Sequence, residues 1–300
     1  MTDSRRMPTS LLLATDLGPR CDRALDRCAQ LARTFALQPA AATVVEAALR
    51  RAQDVSTHDL PDWYRAPEPQ ASAEKQLDCD LASTGLDWRR YVAEGNAGDF
   101  LLRVLAQENA GTDADTANAK PLVVAGPPQP GMLGTATLGS TVDKLLRHTA
   151  TSLLIVRRRL CGGYCHVLVA SDFSVPSMAA LQAVHAMFPL ARITLLHGFD
   201  IPMFGLRDSS RDSAIADIHA QLREQALAFL ATAGVPAAQV ELVIEHGEPA
   251  RLAQQYAETF APDLIALGSH GHGAVHDLVV GSVAKRIIAT SALDTLVVRA

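Results

Sequence analysis

The sequence predicts an α/β protein built as two tandem, doubly wound, five-stranded parallel-sheet domains. Three observations carry that prediction. Short apolar runs alternate with longer amphipathic segments, as in β-α units whose sheet is covered by helices on both faces. The order of elements repeats after a linker near Leu160 to Tyr164. Leu11-Leu12-Leu13-Ala14-Thr15-Asp16 returns as Val167-Leu168-Val169-Ala170-Ser171-Asp172, and Leu122-Val123-Val124-Ala125-Gly126 returns as Leu264-Ile265-Ala266-Leu267-Gly268. Finally, Gly126 to Gly139 and Gly268 to Gly281 span 13 residues each, so the copies are in register over their C-terminal halves.

Taken in order, the first copy opens on the strand that ends at Asp16 and passes into a helical pattern. The segment from Ala47 to Thr84 holds Pro61, Pro67 and Pro69 with Trp63 and Tyr64, and reads as a long loop leading into a helix. A strand at Leu122–Ala125 follows, then a helix opening at Gly139-Ser140 and a last strand at Ser152–Val156. Arg157-Arg158-Arg159 reads as a solvated strand end. Cys161 and Cys165 are separated by Gly162-Gly163-Tyr164, the wrong interval for a Cys-x2-Cys pair, and read as linker thiols. The expected domains are residues 1–159 and 160–300. In the second copy, strands are expected near 165–171, 192–197, 240–245, 263–267 and 294–299, with helices near 175–187, 210–233, 249–259 and 281–291.

Composition bounds the function. Three hundred residues with 48% hydrophobic content bury a substantial core, and a net charge of -5 argues against a general nucleic-acid binder, which needs a basic face. No apolar run approaches the ~20 residues of a membrane helix. Met1-Thr2-Asp3-Ser4-Arg5-Arg6 is not followed by a signal-like core before Asp16, and five cysteines without framework spacing fit a reducing compartment. The expectation is a cytoplasmic protein with no membrane partner.

The chemistry concentrates in Leu267-Gly268-Ser269-His270-Gly271 and, nine residues on, Gly281-Ser282-Val283. A strand, a glycine turn and a helix start present unpaired N–H groups and a positive dipole end, which suit a phosphate chain. The plainer alternative is that the glycines serve turn geometry alone. Asp172, at the end of the first strand of the copy, would line the same crevice if that strand neighbours the fourth. It is expected as a buried carboxylate accepting from an adenine or ribose, or as the N-cap of the helix starting near Val175. Val283, Ile287 and Ile288 are expected to fill the inner face of the last helix, leaving Lys285 and Arg286 to solvent or to a terminal phosphate.

Gly268-x2-Gly271-x9-Gly281-Ser282 resembles the ATP-binding signature of the universal stress protein family, and from about Ser10 onward the whole chain is similar to a tandem member of it. The resemblance implies an adenine-nucleotide alpha-hydrolase-like fold and ATP as ligand. It assigns adenosine contact to Asp172, passage around ribose and phosphate to Gly268 and Gly271 with Ser269 and His270 between them, and phosphate contact to Gly281, Ser282 and Val283. It further implies that the final strands, Leu153–Val156 and Leu296–Val298, pair antiparallel and join the copies as an intramolecular pseudo-dimer. Association into a homodimer of the tandem chain is compatible with it.

The first copy departs from the pattern. Its turn reads Gly126-Pro127-Pro128-Gln129-Pro130, and prolines remove N–H donors and fix φ, so nucleotide binding is expected in the second copy only. No Gly-x4-Gly-Lys-Ser/Thr loop is present, and Gly271-His272-Gly273 lacks the third glycine of a dinucleotide fingerprint. His270, His272 and His276 within seven positions leave transition-metal ligation open as an alternative. Catalysis is the weaker reading: Asp277 is the one carboxylate after the glycine turn that would organise Mg2+ and water for slow ATP hydrolysis. Two functions stand: an ATP-binding regulatory protein acting on an unidentified protein partner, or a structural pseudo-dimer that works by protein interaction without nucleotide.

Overall fold

The structure, a computed structural model, describes residues 7–45, 68–110, 120–128, 140–149, 151–200, 208–269 and 280–299. The first repeat contributes β1 (Leu11–Thr15), α1 (Asp22–Phe35), β2 (Pro39–Val45), α2 (Pro69–Ala82), β3 (Arg89–Glu94), α3 (Ala97–Ala110), β4 (Leu122–Ala125), α4 (Ser140–His148) and β5 (Ser152–Ile155). The second contributes β6 (His166–Ala170), α5 (Val175–Met187), β7 (Arg192–Phe199), α6 (Asp208–Ala233), β8 (Val240–His246), α7 (Pro249–Phe260), β9 (Leu264–Gly268), α8 (Ser282–Thr290) and β10 (Asp294–Val298). The helix expected to end the 47–84 segment is α2; the loop expected before it falls mostly outside the described residues.

All ten strands form one sheet in the order β3-β2-β1-β4-β5-β10-β9-β6-β7-β8. Each repeat is parallel throughout, and the single antiparallel pair is β5 with β10, Leu154 opposite Leu296 and Leu153 opposite Val297. The two terminal strands therefore shield one another's edges, which bare would invite foreign strands. Alternation along every strand sorts the core onto two faces. Leu11, Leu13, Val124, Leu154, Val167, Val169, Ala266 and Leu296 face α1, α2, α5 and α6. Leu12, Val123, Leu153, Ile155, Leu168, Ile265, Leu267 and Val297 face α3, α4, α7 and α8. Both layers run across the β5–β10 seam, so the repeats share their core.

A buried polar cluster bolts the seam. Asp294, 0% exposed, accepts the amides of Arg157 (2.7 Å) and Arg158 (2.9 Å) through Oδ1 and the Tyr164 hydroxyl (2.7 Å) through Oδ2. The Arg27 guanidinium, from α1 of the other repeat, lies 3.8 Å from the same carboxylate and 4.1 Å from the centre of the Tyr164 ring. Burial, then the Asp294 charge, push the Tyr164 phenol well above its usual pKa. The arginine run is thus not simply a solvated strand end. Arg158 and Arg159 are exposed, but the half-buried Arg157 donates to Thr295 Oγ1 (3.2 Å) and to the Leu293 and Ile288 carbonyls, because the antiparallel seam carries the end of β5 into the other repeat.

Candidate functional site

β6 and β9 run side by side and parallel, Ala170 opposite Leu267, and here the strand order turns: β7 and β8 extend one way, β10 the other. A parallel sheet opens its ligand crevice outside the carboxyl ends of the strands at such a point, with neighbouring strands about 4.8 Å apart. Asp172 lies two residues past Ala170 and Ser269 two past Leu267, so the expected carboxylate and the expected glycine turn stand at the same end of adjacent strands. His270 and Gly271, together with His272, His276 and Asp277, lie outside the described residues.

The β9 side is tightly fixed. Ser269 is fully buried, donates its amide to Val298 O (3.0 Å), accepts the Gly281 amide on its carbonyl (3.0 Å) and takes Arg299 Nη1 on its hydroxyl (3.3 Å). The Gly281 amide is therefore engaged within the protein. Intrahelical bonding begins with Lys285 N to Gly281 O (2.9 Å), which leaves the amides of Ser282, Val283 and Ala284 without an intrahelical acceptor, and the N-cap glycine has no side chain to satisfy them. In the first repeat Pro127 stands where Ser269 does and has no N–H to offer the neighbouring strand, so that last rung of the ladder is missing.

Gly268 has a packing reason to be glycine. A Cβ there would sit 2.6 Å from the Pro176 carbonyl carbon, and one on Gly126 would sit 2.9 Å from the Arg20 carbonyl oxygen, at the equivalent place in the first repeat. In both repeats the missing side chain lets the chain entering the helix after the first strand, the first turn of α5 in one and the turn before α1 in the other, press onto the end of the fourth.

The β6 side corrects two expectations. Asp172 is exposed, and the N-cap of α5 is Ser174, whose hydroxyl accepts Ser177 N (3.4 Å). Asp172 Oδ1 instead accepts Ser174 N (3.1 Å), folding the strand into the helix by an Asx turn. Asp16 does the same to Gly18 N (2.8 Å). Between aspartate and cap, Leu17 and Phe173 both take left-handed backbone, φ 56° and 61°, a strained conformation for bulky residues. On α8, Val283 is 36% exposed while Ala284, Ile287 and Ile288 are buried, because the i, i+3, i+4 stripe begins one residue later than expected. Arg286 is exposed, as expected, and pairs across 3.2 Å with Glu248, which caps α7 by accepting Ala250 N (3.1 Å) and Arg251 N (2.9 Å). Burial works against the Glu248 charge, but the two amides and Arg286 outweigh it and hold the carboxyl below its usual pKa.

One residue of this corner escaped the sequence. His197, near the end of β7, stacks on Phe173 (centroids 4.3 Å apart, planes at 17°) and bonds through Nδ1 to Ser171 O (2.9 Å). A carbonyl only accepts, so Nδ1 carries the proton and Nε2 of the neutral ring keeps its lone pair. Burial lowers the His197 pKa, opposed by the Ser171 carbonyl and the Asp172 charge. The signal was faint: a histidine in an apolar strand, aligned with no motif.

Among the described residues no cluster of three metal-ligating side chains occurs, and no helix is long and apolar enough to cross a membrane. A sequence model of the universal stress protein family matches residues 7–157 and 163–299. A curated relative, universal stress protein Slr1230 of Synechocystis sp., is 27% identical over 163 residues, which cover 54% of this chain and about half, 52%, of that protein. Solved structures share the fold along the full length. A universal stress protein from Archaeoglobus fulgidus covers 98% of this chain and is itself covered over 99% (TM-score 0.60, 16% identity). The Pseudomonas aeruginosa protein PA1789 covers 99% and is covered over 94% (TM-score 0.62, 19% identity).

Proposed function

The chain belongs to the universal stress protein family, and on that premise we propose that its second repeat binds ATP at the β6–β9 crevice and that occupancy alters a surface read by a protein partner. One observation supports this reading: the Gly281–Ser269 hydrogen bond ties the start of α8, whose first amides have no intrahelical acceptor, to the end of β9, the strand beside β6 at the switch point. Ser282 and Val283 would hold the terminal phosphates through amides and the Ser282 hydroxyl. His270 and Gly271 would carry the ribose and first phosphate, with Gly268 and the buried Ser269 holding the turn from behind, and Asp172 and His197 would meet the nucleoside. Any Mg2+ would arrive with the phosphates. Of the two repeats, with expected boundaries at 1–159 and 160–300, only the second carries the glycine turn in its sequence, where the first has Pro127 and Pro128, so one nucleotide per chain is expected.

The competing reading, a pseudo-dimer working by protein contact alone, draws support from the exposure of Asp172 and its engagement with Ser174. Gly281→Val separates them. Gly281 has φ -58° and ψ 150°, open to any residue, so the variant should fold while its Cβ blocks the approach of an anion. Calorimetric titration of the intact chain with ATP should give a stoichiometry of one and at least tenfold weaker binding in Gly281→Val. Equal affinity in both proteins, or no heat at all, rejects the nucleotide reading.

A further inference from the structure

At the opposite end of the second repeat, away from the switch point, α7 and α8 frame a cavity of about 250 Å3 that is half open to solvent, with exposed Gln254, Glu258 and Thr290 at its rim. Its walls are Ala250, Ala253 and Ala257 of α7 and Ile287 of α8, with Ile265 of β9 as floor and Leu293 at the entrance to β10. The internal duplication shows what normally fills this space. Gly95 and Gly247, both left-handed (φ 129° and 145°), each stand two residues before the helix that follows, which sets α3 and α7 in register. Leu101 then corresponds to Ala253 and Leu105 to Ala257, and on the facing helices Val142 corresponds to Ala284. Leu101, Leu105 and Val142 are buried in the first repeat. The second repeat keeps the same helix pair and lacks the side chains that occupy the gap.

The alanines and isoleucines at its base lack apolar partner atoms on the open side, and an apolar guest seated there would supply those dispersion contacts and remove the surface from water. At the mouth Gln254 Nε2 donates to Glu258 Oε1 (3.0 Å), orienting a carboxylate at the rim, while the hydroxyls of Thr290 and Ser291 across from it are turned onto the carbonyls of Arg286 and Leu293. We propose that this cavity is a second ligand site, for a compact apolar molecule about the size of the two missing leucyl side chains and carrying a single hydrogen-bond donor, as in a phenol or a short branched alcohol. The apolar body would lie between Ala253, Ala257 and Ile265, with its donor on Glu258.

Thermal melts of the intact chain with toluene and with phenol test this. In the wild type both probes should raise Tm saturably. Ala257→Leu should raise Tm without ligand and lose at least four-fifths of both shifts, while Glu258→Ala should reduce the phenol shift and leave that of toluene. No saturable shift in the wild type, or full shifts retained in Ala257→Leu, overturns the proposal. If Ala257→Leu overpacks, intermolecular NOEs from bound toluene to the Ile265 and Ile287 methyls of the wild type decide instead, and their absence is equally fatal. ATP binding should be unaltered in Glu258→Ala, so failure here is distinct from failure of the nucleotide reading.

Discussion

A histidine in this fold has its titration set by what covers it. His197 has its pKa lowered by burial beneath Phe173, against the pull of the Ser171 carbonyl and the Asp172 charge, and His166 is lowered too, first by burial and then by Arg192. Both shifts carry the same sign. With the folded pKa below the unfolded 6.5, the unfolded chain takes up more protons as the solution is acidified, so folding stability declines as pH drops through 6.5 and is unaffected well above it. Melting the wild type and His197→Gln at pH 7.5 and 5.5 should show a smaller acid-induced fall in Tm for the variant; equal falls would refute the assignment. At this scale the sequence was only partly legible. The glycines and Asp172 could be singled out because motif spacing is written along the chain. The exposure of Asp172, the shift of Val283 off the inner face and the presence of His197 could not, since they depend on side-chain direction and on which strand ends become neighbours.

Elements were far more legible, because apolar periodicity is strong when both faces of a sheet are covered. The five strands of the second repeat fall at the expected places, and α5 spans the expected residues, Val175–Met187. What periodicity did not settle was how each helix starts. Its apolar face fixes rotation, whereas its first turn depends on local hydrogen bonds: Ser174 at α5, Glu248 at α7, and a bare Gly281 at α8. Ser174→Ala should cost about 1 kcal/mol, the usual worth of such a cap, read as a lower urea midpoint at unchanged m. A change in m would mean that α5 does more than cap its own end. Gly281 admits no matching loss, as it has no side chain to remove.

For the molecule as a whole, the shared core and the Asp294 cluster predict one cooperative unfolding event. Asp294→Ala would leave Arg27, itself buried, without its counter-charge, and should cost about 3–5 kcal/mol. Calorimetry should record a single transition in the wild type; two separate transitions would show that the halves melt independently. The tandem architecture was open to view in the sequence through its internal repeat, whereas the cluster was not, since Arg27, Tyr164 and Asp294 come from three distant stretches that only the β5–β10 seam assembles. That seam has a further consequence. Were the halves separate polypeptides, subunit exchange would shuffle them into matched and mismatched couples. Fused through one ribbon, each chain carries one proline-bearing turn and one glycine-bearing turn in fixed proportion, so the two unlike halves can never part or pair with their own kind.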